Sequence, residues 1–235
     1  MRARNRFALA LVAAVLVSGI GLRAHAAGGE TPVTEEMGAH MDVTRVRPQT
    51  DADRVKAASL VAAAKRVMAA YPTVADAERA GFKKFLPGVR LPEEHYTNDA
   101  YALEAWRGTF DPDHPTSLIF ERHGESLTLV GVMYTANKNA TQAQLDAAVP
   151  LGIARWHRHV RFCWPPPGVK DDPRFGFAGT LADDAACRAA GGRWMPELFG
   201  WMVHVWPLEH DPAKVWAVHH GEDHTGMGSM HGMMR

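Results

Sequence analysis

The stretch Trp156-His157-Arg158-His159-Val160-Arg161-Phe162-Cys163, running into Trp164-Pro165-Pro166-Pro167-Gly168, decides how this chain is read. Its aromatic and β-branched residues suit a strand, and prolines that cannot donate to a ladder end it. Side chains alternate along a strand. His157, His159, Arg161 and Cys163 are therefore expected on one face, with Trp156, Arg158, Val160 and Phe162 on the other. Two imidazoles two residues apart lie about 6–7 Å apart. Both can reach one metal ion at about 2.0–2.1 Å.

Working outward, residues 199–206 read as a second strand, with Met202, His204 and Trp206 on one face and Val203 and Val205 on the other. A histidine enclosed by Trp201, Val203, Val205 and Trp206 is expected to be buried, and a buried histidine needs a partner. His95 is expected on an irregular segment that opens a short helix to about residue 107. Glu121 is expected on a strand beginning at Ser117. His157, His159, His204 and His95, with Glu121, form the candidate core metal site. Imidazole suits zinc and copper among other ions. Neutral imidazole is the binding form, so affinity should fall below about pH 6.5. The plain alternative is two ordinary strand histidines, one exposed and one hydrogen-bonded.

The remaining elements follow from periodicity and punctuation. Ala57, Leu60, Ala63, Ala64, Val67, Met68 and Tyr71 recur at helical spacing over residues 51–71, and Pro72 stops that helix. Thr73 with Asp76, Thr141 with Gln144, and Thr180 with Asp183 have the spacing of helix starts. Residues 117–122 and 126–135 form a hairpin across His123-Gly124-Glu125. No βαβ rhythm appears. The sum is an α+β domain over residues 51–218, with N-terminal helices followed by a mainly antiparallel sheet.

The ends of the chain carry their own signals. Arg2, Arg4 and Arg6 precede the apolar run 7–17, and Ala24-His25-Ala26 follows: the pattern of a signal peptide over residues 1–26. The run is shorter than the roughly 20 apolar residues of a membrane span, so no stable membrane insertion is expected after cleavage, and the product is periplasmic or secreted. The whole chain has 26 basic and 26 acidic residues. Losing Arg2, Arg4, Arg6 and Arg23 leaves 26 − 4 = 22 basic residues against 26 acidic. That balance argues against nucleic acid as a partner. In an oxidising compartment Cys163 and Cys187 are expected to form a disulfide; the rival reading makes Cys163 a metal ligand. Residues 27–50 read as a flexible leader. Residues 219–235 read as a disordered tail in which His219, His220, His224, Met227, Met230, His231, Met233 and Met234 offer imidazole and thioether ligands suited to copper.

Gly152 followed by His157-x-His159 resembles the first cupin motif, and Gly200 ahead of His204 resembles the second. That resemblance implies a partial jelly-roll barrel whose histidines hold a metal. The cupin glutamate after the His-x-His is missing, and Cys163 stands near its place. His95-Tyr96-Thr97-Asn98, residues 129–134, Trp156-His157-Arg158-His159 and residues 200–206 resemble an uncharacterised family of exported bacterial proteins over roughly residues 70–210, which carries no activity to transfer. The leading expectation is an exported copper- or zinc-binding protein, with metal ions as its partners. A cupin-like metalloenzyme (hydrolase, oxygenase or isomerase) using the same histidines is the alternative. A third reading is a binding module that uses exposed tryptophans among the seven in the chain.

Overall fold

The computed structural model describes residues 29–169, 172–177 and 179–220. The expected signal segment and the tail ligands His224, Met227, Met230, His231, Met233 and Met234 lie outside them. The described chain is α+β. Its eight strands are β1 (Thr34–Glu36), β2 (Met41–Thr44), β3 (Phe82–Lys84), β4 (Glu93–Asn98), β5 (Ser117–His123), β6 (Ser126–Ala136), β7 (His157–Trp164) and β8 (Arg193–Val205). They form one open sheet in the order β1-β2-β7-β8-β6-β5-β4-β3, and every pairing is antiparallel. The helices are α1 (Asp51–Ala70), α2 (Val74–Arg79), α3 (Asp99–Trp106), α4 (Gln142–Ala148) and α5 (Asp184–Ala189).

Helix starts follow the side-chain logic of the sequence. Thr50 with Asp53, Thr73 with Asp76, and Thr141 with Gln144 make reciprocal capping boxes. α5 differs: Asp183 itself is its cap, accepting from the Ala186 N–H. Leu60, Ala64, Val67 and Met68 of α1 pack with Leu118, Phe120, Val132, Tyr134, Val203 and Val205, so the helix covers one side of the sheet. Ile119, Met133, Met202 and Trp206 project to the other side, where Ala217 joins them.

Two expectations about the chain's organisation need correction. Residues 34–44 are not a flexible leader but supply β1 and β2. Val43 is fully buried, and β2 pairs with β7. Apolar alternation is too short there to register, and the partner strand lies more than 100 residues away. His95 does not sit on an irregular segment. It is central in β4, and α3 starts only after Asn98, whose side chain accepts from the Ala100 and Tyr101 N–H groups. The asparagine cap makes strand and helix adjoin without a loop.

Alternation in β7 also fails beyond His159. The register with β8 shifts between His157 and His159, and Arg161 takes a positive φ of 55°. Phe162, expected opposite His159, packs on the same Phe177 ring that His159 touches, at 4.8 and 4.9 Å between centroids. A bulge re-aims side chains in this way. Gly152, the cupin-like glycine, has a local reason of its own. A Cβ there would stand 2.7 Å from Asp53 Oδ2 and 2.9 Å from Arg47 Nη1. The glycine leaves room for the Arg47–Asp53 ion pair, at 2.6 Å, that ties the segment after β2 to α1.

Cys163 and Cys187 are joined, with Cα atoms 5.6 Å apart, linking β7 to α5. Cys163 is thereby removed as a metal ligand. The bridge spans a sequence separation of 24. Chain entropy over such a loop stabilises the fold by about 3.5 kcal/mol. Replacing both cysteines with serine should lower the melting temperature by roughly 7–14 °C for a domain of this size. Calorimetry of the double variant measures it, and titration of the unreduced, denatured wild type should find no free thiol.

Candidate functional site

The side of the sheet away from α1 is concave and carries four of the histidines. His95 on β4 and His204 on β8 are separated in the sheet by β5 and β6. In a flat sheet those three inter-strand steps would place their backbones about 14 Å apart, farther than two imidazoles leaning toward each other can bridge. Their Nε2 atoms are instead 3.5 Å apart. Gly131 is part of what permits this curl. A Cβ at position 131 would stand 2.5 Å from Trp206 Cε3, so the indole lies where a side chain would otherwise be. Trp206 is fully buried, and its Nε1 donates to the Ala217 carbonyl at 2.8 Å.

His157 lies beside this pair, its ring centroid 4.9 Å from that of His204, and His159 is 5.8 Å from His157. The structure thus brings His95, His157, His159 and His204 onto one surface, as the candidate set requires. His204 Nδ1 donates to the Val218 carbonyl at 2.6 Å, which leaves its Nε2 lone pair directed at His95. His157 Nδ1 is buried with no hydrogen-bond partner. Buried polar atoms of this kind are uncommon and call for a reason.

All four rings are held neutral. Burial, with the nearby His219, lowers His95 to about 4. Burial, with His219, His95 and His40, does the same for His159. Burial followed by repulsion from His204 and His159 takes His157 well below the usual value. Burial followed by His95 does so for His204, against the opposing effect of the Val218 carbonyl. The rings are therefore in the form that coordinates a metal.

Glu121 is not among them. It points to the same side of the sheet, but its carboxylate binds His220 Nδ1 at 3.1 Å. The other ring nitrogen of His220 meets Glu209 at 3.1 Å, and its backbone N–H donates to Glu93. Glu93 faces Glu121 across β4 and β5, and burial raises its pKa. Residues 215–220 thus strap the concave face: Val218 holds His204, His219 acts electrostatically on all four histidines, and His220 is pinned by carboxylates. The folded domain therefore extends past the expected boundary at residue 218, because His219 and His220 belong to the folded face. Sequence reading placed them in the tail, since no periodicity marks a strap. His40 was also missed. It is buried, with its ring nitrogens 2.7 Å from the Arg161 and Gly179 carbonyls, and only the sheet brings those three residues together.

Among the described residues, no group of three or more His, Cys, Asp or Glu side chains is closed enough to hold an ion as it stands. His95 and His204 approach through their Nε2 atoms, and the His157 ring lies next to that of His204. A cavity of about 20 Å³ borders His95, lined by Lys84, Phe85, Leu86, Val89, Leu91 and Glu94. Of the tryptophans, 156, 201, 206 and 216 are buried, while Trp106 and Trp164 are exposed. No protein family, curated protein or solved structure matches the chain.

Two outcomes follow from this geometry. Gly131→Ala should cost about 1–3 kcal/mol through overpacking against Trp206, read by urea unfolding, and should perturb tryptophan fluorescence. The metal-free protein should also weaken in acid. A histidine whose folded pKa is depressed leaves the unfolded chain binding more protons, so its stability contribution is full above about pH 6.5 and drains away toward pH 4. His95 and His159 should each remove roughly 1–2 kcal/mol between pH 7 and pH 5, from their values of about 4. Urea unfolding at the two pH values, in the presence of chelator, measures it.

Proposed function

We propose that this chain is an exported metal-binding protein, periplasmic or secreted, with a histidine core site for copper or zinc and a His/Met-rich copper-binding tail. The observation that carries the core site is the His95–His204 pair. Two Nε2 atoms 3.5 Å apart lie beyond the usual hydrogen-bond range. They have the separation of two nitrogens that both sit about 2.0–2.1 Å from one near-tetrahedral ion. The unpartnered His157 Nδ1 and the neutral state of all four rings agree with that use. The Val218 carbonyl does what outer partners of metal-bound histidines do: it fixes the tautomer and the ring orientation.

The cupin-like enzyme reading draws no support from the cavity that borders His95. The cavity beside His95, at about 20 Å³, has room for roughly one water. Substrate sites usually run to hundreds of Å³. The tryptophan-module reading is less supported, because most of the indoles are inside. Export rests on the N-terminal pattern, and the disulfide suits an oxidising compartment.

Titration of untagged protein with copper and with zinc, read by competition with a chromophoric chelator, tests this. The wild type should hold one ion tightly. His95→Ala combined with His204→Ala should weaken that site at least 100-fold, while deletion of residues 221–235 removes only weaker capacity. If the tail deletion abolishes all binding, the core histidines are structural and the reading is wrong.

A further inference from the structure

The metal-binding reading leaves open which ion the core takes, and the inference made here rests on that reading. The histidine side of the sheet carries two methionines at positions directly opposite histidines. Met202 faces His157 across β7 and β8, and Met133 faces His204 across β6 and β8. Directly opposite residues share a face with Cβ atoms about 4.5–5.5 Å apart, within reach of long side chains. Both methionines are buried, Met202 at 5% and Met133 at 8% exposure.

Their distribution is one-sided. Over the β6–β8 pairing, the helix-facing positions include Val132, Tyr134, Val203 and Val205, the β-branched and aromatic residues that strands favour. Both methionines of that stretch fall on the histidine side. Thioether sulfur is a soft ligand that suits monovalent copper. It also carries no charge, and neither does a neutral imidazole.

Charge supplies an independent argument. The cost of taking an ion out of water grows with the square of its charge, so a divalent ion costs about four times as much as a monovalent one of equal size. Zinc sites offset that cost with thiolate or carboxylate, or keep water on the ion. Here the cysteines are bridged, and Glu121 is engaged by His220 at the edge of the face. A buried set of uncharged ligands fits a single positive charge.

We propose that the histidine face is a mixed imidazole–thioether site selective for monovalent copper, with His95 and His204 giving nitrogen and Met133 and Met202 giving sulfur. The test uses the full untagged chain carrying 13C-methyl methionine, with one equivalent of ascorbate-reduced copper added under nitrogen and, separately, one equivalent of zinc. Copper should shift the Met133 and Met202 methyl resonances, and zinc should leave them in place. Met133→Leu combined with Met202→Leu should lower affinity for monovalent copper at least tenfold and change zinc affinity less than twofold. Movement of the tail methionine signals alone would overturn the proposal, as would equal losses for both ions in a folded double variant. If copper binds the core but its affinity survives the methionine changes and falls with His95→Ala and His204→Ala, the selectivity claim fails while the metal-binding reading stands. If no histidine change alters binding of either ion, both fail.

Discussion

The contact between Trp206 and Gly131 is the constraint on which the concave face depends. An indole can lie flat on a strand only where that strand offers no Cβ, and 2.5 Å leaves no room for one. With the ring seated there, the sheet curves and two histidines three strands apart come within 3.5 Å. The strap is fixed by the same ring, through its Nε1 donation to Ala217 and its contact with His220, 4.9 Å between centroids. Curvature, histidine pair and cover thus meet at one packing contact, in which small and large side chains exchange places across adjacent strands.

The local features of this arrangement were legible in the sequence. The capping boxes at Thr73 and Thr141, the hairpin around Gly124 and the face assignments of Met202, His204 and Trp206 involve residues within a few positions of one another, so propensity and alternation suffice. Residues whose role is set by distant partners were not legible. Val43 becomes a strand residue only because β7 lies beside it. His219 acquires its role only because the strap crosses the sheet. Arg161 breaks alternation with a left-handed backbone that its residue type does not advertise. The His-x-His pair lies beside the other two candidate histidines, yet the closest nitrogen–nitrogen approach joins His95 to His204, neither of which belongs to that motif.

Burial and ligand chemistry are coupled on this face. Burying two imidazoles and partly burying two more without acids beside them suppresses their protonation, and each suppressed proton frees a lone pair. The carboxylates are held apart, at the rim, where Glu93, Glu121 and Glu209 meet His220. A neutral interior and a charged rim divide the surface into a histidine-lined region and a region that anchors the strap beside it.

The strap has a consequence for how the protein is made. Val218 packs with Met41 and Val43, so the cover of the face rests on a strand 218 − 43 = 175 residues earlier in the chain. Contacts of such separation form late, because the loop they close must be ordered first. Synthesis delivers the N-terminus first. Until the strap arrives, Met41 and Val43 lack Val218, His204 has no carbonyl to fix its tautomer, and the histidine face stands uncovered. Complete assembly of the face therefore reports that the chain has been delivered at least as far as the strap, and a chain truncated before residue 215 would leave its imidazoles without the contacts that fix them.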